Sequence, residues 1–214
     1  MDFNALGSFI LYCLVTSITP GPNNIMLASS GVTFGFKKTV PHLLGVTAGF
    51  CLMIVLLGLG IAQTLANSPI IFESLKVISI LYLSYLSYKI YCYKPTSTSS
   101  ELASKPINFI EAALFQWINP KAWIMALGAI ATYTQANSSV IFILFISFIY
   151  ALVNFPCVGI WAYAGDRLRN YFNNWEKVQK FNTCMCVLLL TSIVLPSLQS
   201  IQFFIAILRS EFMN

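Results

Sequence analysis

The chain has 214 residues, of which 57% are hydrophobic and only 9% charged, with a formal net charge of +5. A soluble domain carries about 25% charged residues, so this composition cannot coat a globule in solvated side chains and places the chain in a bilayer as an all-α, polytopic protein. The basic residues lie between apolar segments, not in one patch with interleaved aromatics, which excludes a nucleic-acid surface.

A helix needs about 20 apolar residues to cross a ~30 Å hydrocarbon core. On that scale the chain reads as about six transmembrane helices, near residues 5–30, 40–63, 70–92, 109–134, 139–163 and 183–207. A five-span count with one re-entrant segment stays open. The opening Met1-Asp2-Phe3-Asn4 lacks a basic stretch, and the run ends at Thr19-Pro20-Gly21-Pro22-Asn23-Asn24 without a small-residue cleavage site. It is expected to be a mature span rather than a signal peptide.

Within this first span Pro20 and Pro22 remove two amide donors, and Gly21 loosens the backbone between them. A helix cannot pass unperturbed, and carbonyls freed in hydrocarbon each cost several kcal/mol unless satisfied. Thr16, Thr19, Asn23 and Asn24 stand near enough to help. The alternatives are a repaired kink and a substrate or ion site, and the density of Pro, Gly and Asn favours the site. The amides that open the next half-helix suit a carboxylate such as an amino acid carries.

After the first span come Lys37 and Lys38, and then Pro41-His42 at the mouth of the second. Gly31-xxx-Gly35 and Gly45-xxx-Gly49 permit close helix contact, within the chain or in a homodimer. The stretch Gly31–Thr39 resembles a phosphate loop only superficially, because Phe36 stands where glycine must precede the lysine. The third span opens with Glu73 and Lys76. It carries Tyr82, Tyr85, Tyr88 and Tyr91 at three-residue spacing, as an aromatic belt or in part as pathway lining.

Residues 94–108, framed by Pro95 and Pro106 and rich in Ser and Thr, are expected to be a cytoplasmic linker between halves 1–93 and 109–214. Lys and Arg cluster in the loops after spans one, three and five, while Gln63–Pro69 and Thr134–Ser139 carry none. Under a six-span count this puts both termini outside. Three spans per half is an odd number, so the halves must be inverted in topology.

The fourth span opens at Glu111 and is interrupted by Gln116, Asn119 and Lys121. Its Asn119-Pro120-Lys121-Ala122-Trp123-Ile124-Met125 can be set against Gly21-Pro22-Asn23-Asn24-Ile25-Met26-Leu27. Lys121 lies ten residues beyond Glu111, about 15 Å in at ~1.5 Å per residue. It either snorkels, if the span starts later, or meets a carboxylate or couples charge. Glu73, Glu111 and His42 are candidates for ion coupling, with interfacial or structural placement as the alternative for each. The last span is divided by Pro196. The six cysteines lie in or beside apolar stretches with no CxxC pair, so packing is expected rather than a metal site, and no cofactor is implied.

Thr19-Pro20-Gly21-Pro22-Asn23-Asn24, with Gly31, Gly35 and Gly45, resembles the signature of the lysine exporter (LysE/RhtB) family. Asn119-Pro120-Lys121-Ala122 matches that family's second motif, and Ala164-Gly165-Asp166-Arg167-Leu168-Arg169 is also similar. The likeness covers essentially the whole chain. Lys105-Pro106-Ile107 and Phe115-Gln116-Trp117 look most like the cysteine/O-acetylserine exporter branch. The resemblance implies a secondary transporter of the bacterial inner membrane, exporting small amino acids or derivatives on an ion gradient, with H+ the first candidate. It also implies that the two broken regions line the pathway: Thr19, Pro20, Gly21, Pro22, Asn23 and Asn24 on one side, Asn119, Pro120 and Lys121 on the other. The competing expectations are an intramembrane enzyme, for which no nucleophile–base pair at depth is evident, and a non-transporting membrane scaffold.

Overall fold

The protein was studied as a computed structural model, which describes residues 3–61, 69–92, 106–135, 138–169, 171 and 175–212. Among these there is no strand. The expected linker lies almost wholly outside the described residues, as do most of the Gln63–Pro69 loop and the final two residues.

The first expected span is two helices, α1 (Phe3–Ile18) and α2 (Pro22–Phe34), bent by 54° at the Pro-Gly-Pro break. Next come α3 (Phe36–Leu56), which continues as a π turn over Leu57–Ile61, and α4 (Pro69–Cys92). The fourth expected span is likewise divided. A seven-residue α5 (Phe109–Phe115) runs into a 3-10 turn (Gln116–Ile118), and α6 (Pro120–Tyr133) starts afresh after Asn119. Two long helices finish the chain, α7 (Val140–Arg169) and α8 (Trp175–Phe212).

The helix of Phe36–Ile61 and that of Val140–Arg169 are each long and apolar enough to cross a membrane, and the bent α1–α2 pair makes a third such unit. Their outward faces fit that solvent. Ile141 is 80% exposed, and Leu52, Phe148, Leu152 and Ile160 are all exposed. A contiguous apolar exterior of this kind needs hydrocarbon against it.

The expectation for the last span needs correcting. The helix runs without interruption through Pro196, and it begins at Trp175, eight residues before the apolar stretch at 183. Proline removes only one ladder bond, which a long packed helix in a membrane tolerates. At 38 residues α8 is about 57 Å long, so part of it must project beyond the core. Its first turns are polar, and there Lys180 pairs with Glu176 at 2.7 Å.

Packing places α2 at the centre. It contacts α3, α7 and α8, and Pro22 and residues 24–32 are buried although they include Asn24, Ser29 and Ser30. The approach of α2 to α7 is backbone on backbone. A Cβ at Gly31 would strike the Ala162 carbonyl, and one at Gly165 would strike that of Ala28. Gly45 and Gly49 lie against the backbone of α5 in the same way, so these small-residue motifs serve contacts inside the chain. On one side of the break, Phe9 and Cys13 of α1 pack with Phe50 and Met53 of α3, Ala126 and Ala129 of α6 and Tyr150 of α7. On another, Ile25 and Met26 of α2 pack with Leu83 of α4, Phe115 of α5 and Leu189 of α8.

Candidate functional site

Two missing amides and a 54° bend leave the carbonyls of residues 16–20 without their helical partners. Each finds another. The Thr16 carbonyl accepts from Thr19 Oγ1 at 3.1 Å. The Ser17 and Thr19 carbonyls accept from the two hydrogens of Asn24 Nδ2, both at 2.8 Å. The Ile18 carbonyl accepts from Trp161 Nε1 at 3.1 Å, a reach across to α7. Thr19 and Pro20 then receive the ammonium of Lys121. Its Nζ donates to the Thr19 carbonyl at 2.6 Å, to Thr19 Oγ1 at 2.9 Å and to the Pro20 carbonyl at 3.4 Å.

Asn24 is thus a structural repair on the carbonyl side, not a free arm. Asn23 is also engaged, but elsewhere: its amide and that of Gln116 exchange bonds at 2.8 and 3.2 Å, tying α2 to the turn before α6. Gln116 itself is fully buried and donates to the Ala112 carbonyl at 2.9 Å.

On the amide side of the break the arrangement differs. Helix α2 starts at Gly21 with Pro22 as its first residue, and among the described residues no side chain caps it. Gly21 is extended, at φ −174 and ψ 177, which any residue adopts. Glycine leaves room there for a neighbouring side chain. A Cβ would lie 2.5 Å from Cδ of Lys121, because the lysine stem crosses directly over this position. Helix α6 has the same proline at its first position but caps itself, with Asn119 Oδ1 accepting from the Lys121 amide at 3.1 Å.

These groups border a narrow cleft of about 20 Å³, open at one side. Gly21, Asn23, Asn24, Asn119 and Lys121 line one part, and Val46, Phe50, Met125 and Val158 give it an apolar wall. The structure therefore brings the two expected break regions together at one cavity. The Lys121 ammonium turns inward to α1 instead of outward along its own helix. One cation, amides open to a ligand and an apolar wall suit the carboxylate end of a small molecule, which the cleft must widen to admit.

Sequence reasoning missed Asn154. It is 4% exposed and lines the cleft from α7, donating to Ser17 Oγ at 3.0 Å and accepting from Thr47 Oγ1 at 3.5 Å. Its signal was a lone amide two residues before Pro156 in an apolar run. Tyr150 was missed likewise. It is buried, its hydroxyl lies 2.6 Å from Thr16 Oγ1, and its ring meets those of Phe9, Tyr12 and Phe50.

Of the coupling candidates, Glu111 and His42 stand apart from the cleft lining. Glu111 is exposed and forms a capping box with Asn108, accepting from the Asn108 amide at 3.0 Å while Asn108 Oδ1 accepts from the Glu111 amide at 2.9 Å. His42 is fully buried, with Nδ1 at 3.2 Å from Ser30 Oγ, and its Nε2 meets no polar partner among the described residues. Glu73 lies on α4, and its side chain is outside the described residues, as is that of Tyr82. Tyr85 is 51% exposed and does not border the cleft.

Comparison with known proteins bears on the chain as a whole. The chain is 32% identical over 190 residues to the cysteine/O-acetylserine efflux protein of Escherichia coli O157:H7, covering 86% of this chain and 93% of the relative. It is 28% identical over 186 residues to the protein of the same name from Salmonella paratyphi A, with the same coverage of both chains. No solved structure matches the chain. The model of the LysE type translocator family matches residues 14–195, and the chain belongs to that family of membrane transport proteins.

Proposed function

We infer that the protein is a secondary transporter that exports small amino acids or their derivatives across the bacterial inner membrane by alternating access. Cysteine and O-acetylserine are the first substrates to test, from the names of its relatives. The observation that carries this reading is the uncapped start of α2, facing a cleft beside the Lys121 ammonium. The substrate carboxylate takes the amides that open α2, where the helix dipole favours an anion. The Asn23–Gln116 pair and Asn119 hold the two breaks in register around it. The apolar wall accommodates a short side chain, and Asn154 stands within it as a polar contact.

Six spans in two inverted halves, residues 1–93 and 109–214, joined by 94–108, are part of the same proposal, as are termini on the outer side. The support is that both breaks place proline at the first helical position, in matching order along each half. A homodimer, if formed, would use faces other than Gly31, Gly45 and Gly49, which already pack inside the chain. Export is coupled to an ion gradient, with H+ the first candidate. Of His42 and Glu111, His42 is the better coupling candidate, because it is buried with one ring nitrogen that meets no polar partner among the described residues.

Purified protein in proteoliposomes preloaded with labelled cysteine, O-acetylserine, serine and lysine tests the proposal. Efflux of at least one of them, accelerated by an imposed pH gradient, is the expected result. No efflux of any of the four under pH and sodium gradients would overturn it.

A further inference from the structure

We propose that the carbonyl end of α1 is a seat for a primary ammonium, filled by Lys121 when no substrate is bound and taken over by the α-ammonium of the exported amino acid. This rests on the efflux reading and adds which pole of the substrate goes where.

The break exposes two opposite poles within a few residues. Helix α1 ends in carbonyls, which carry partial negative charge, and α2 begins in amides, which carry partial positive charge. A zwitterion needs one of each. The carbonyl pole is already built for an ammonium. One nitrogen, Lys121 Nζ, lies at 2.6, 2.9 and 3.4 Å from the Thr19 carbonyl, the Thr19 hydroxyl and the Pro20 carbonyl. That is an oxygen acceptor for each of the three hydrogens an ammonium carries.

The occupant is a stand-in because it lacks a counter-ion. Among the described residues no carboxylate pairs with Lys121, and the cation is held by dipoles alone. The opening at Gly21 lets the stem cross the break to reach the seat. An arriving amino acid supplies both things that are needed to move it. Its carboxylate gives Lys121 the counter-charge, and its ammonium restores the bonds to Thr19 and Pro20, so donors and acceptors on the two poles remain matched. An amine without a carboxylate would displace Lys121 into the cleft unpaired. Selection for zwitterions follows from the penalty on each incomplete ligand.

The test uses the full-length protein in nanodiscs and reads the ligand-induced rise in melting temperature. The probes are cysteine under reducing conditions, ethylammonium chloride and sodium chloride. Wild type is expected to respond to cysteine and not to ethylammonium. Lys121→Met, which keeps the stem's bulk, and Lys121→Ala are expected to gain a response to ethylammonium, at a half-saturating concentration at least about tenfold below any seen in wild type. Adding Thr19→Val to Lys121→Met removes the hydroxyl acceptor and should weaken that response several-fold.

The proposal is overturned if Lys121→Met melts cooperatively yet gains no ethylammonium response, or if Thr19→Val leaves a gained response unchanged. It is also overturned if sodium stabilises Lys121→Met as well as ethylammonium does, since the seat would then be a general cation site. Wild-type export separates this from the function itself. Efflux of amino acids without an ethylammonium gain defeats the seat alone, whereas absence of all efflux defeats the transporter reading.

Discussion

The two broken helices solve the same local problem in opposite ways. At α5–α6 the chain closes its own gap: Asn119 caps α6, and the preceding 3-10 turn returns the Asn119 amide to the Gln116 carbonyl at 3.3 Å. At α1–α2 the local Thr19 and Asn24 do not suffice: Trp161 from α7 and Lys121 from α6 are also drawn to the carbonyls, while among the described residues no side chain caps the amides at the start of α2. A break that caps itself makes a fixed platform, and here it presents a lysine. A break left uncapped in apolar surroundings keeps its dipole available to a ligand. On the proposed mechanism, α6 carries the arm and α1–α2 carries the socket.

Removing the arm is the most severe way to break this comparison. Lys121→Ala takes away charge-assisted hydrogen bonds worth roughly 1.5–3 kcal/mol, and at about 1.4 kcal/mol per decade efflux should fall roughly tenfold to a hundredfold. Initial rates from preloaded proteoliposomes, normalised to inserted protein, measure it. Undiminished efflux would take Lys121 out of the pathway.

Gly21→Ala attacks the socket from beneath. The backbone there tolerates a side chain, so any effect arises from the new methyl group pushing the Lys121 stem aside. Efflux should drop by about tenfold, and the loss should be largely absent when Gly21→Ala is placed in a Lys121→Ala background. Residues in contact are expected to couple by roughly 0.5–3 kcal/mol. Additive losses would mean that Gly21 acts through something other than the lysine.

Much of this was legible in the chain because its causes are local. Proline without an amide, glycine between prolines and a lysine inside an apolar run announce a break and a buried cation wherever they occur. Partners 93, 137 and 143 residues away are not announced: Gln116 for Asn23, Asn154 for Ser17, Trp161 for Ile18. Those pairs depend on which helix faces which, and apolar runs in a bilayer carry little of that information. The polar first turns of α8 were missed for a related reason, since hydropathy detects hydrocarbon contact and not helix. Pro196 was overread as a divider where the helix continues past the one ladder bond it lacks.

The asymmetry also predicts unequal stability costs. Asn24 serves two carbonyls at the α1 end, so Asn24→Ala strands that of Ser17 at roughly 1–3 kcal/mol and leaves that of Thr19 to Lys121 alone. Asn119→Ala forfeits one cap at about 1 kcal/mol, most of which Asn119→Asp should restore. Melting of the purified variants in detergent should rank Asn24→Ala clearly below Asn119→Ala. Equal losses would mean the two breaks are not as differently built as their hydrogen bonds indicate.

The smallest effect is expected outside both breaks, at Glu111. Its carboxylate accepts from the Asn108 amide in a capping box, a task glutamine performs with the same geometry. Glu111→Gln should therefore leave both efflux and its dependence on an imposed pH gradient within about twofold of wild type. His42→Gln, by contrast, alters a fully buried ring whose Nε2 meets no polar partner among the described residues, and it should blunt the response to the pH gradient. Measuring both variants in the same gradient assay separates a group that only ends a helix from one that takes part in coupling. A lost gradient response in Glu111→Gln with an intact one in His42→Gln would reverse the assignment and move the coupling site to the start of α5.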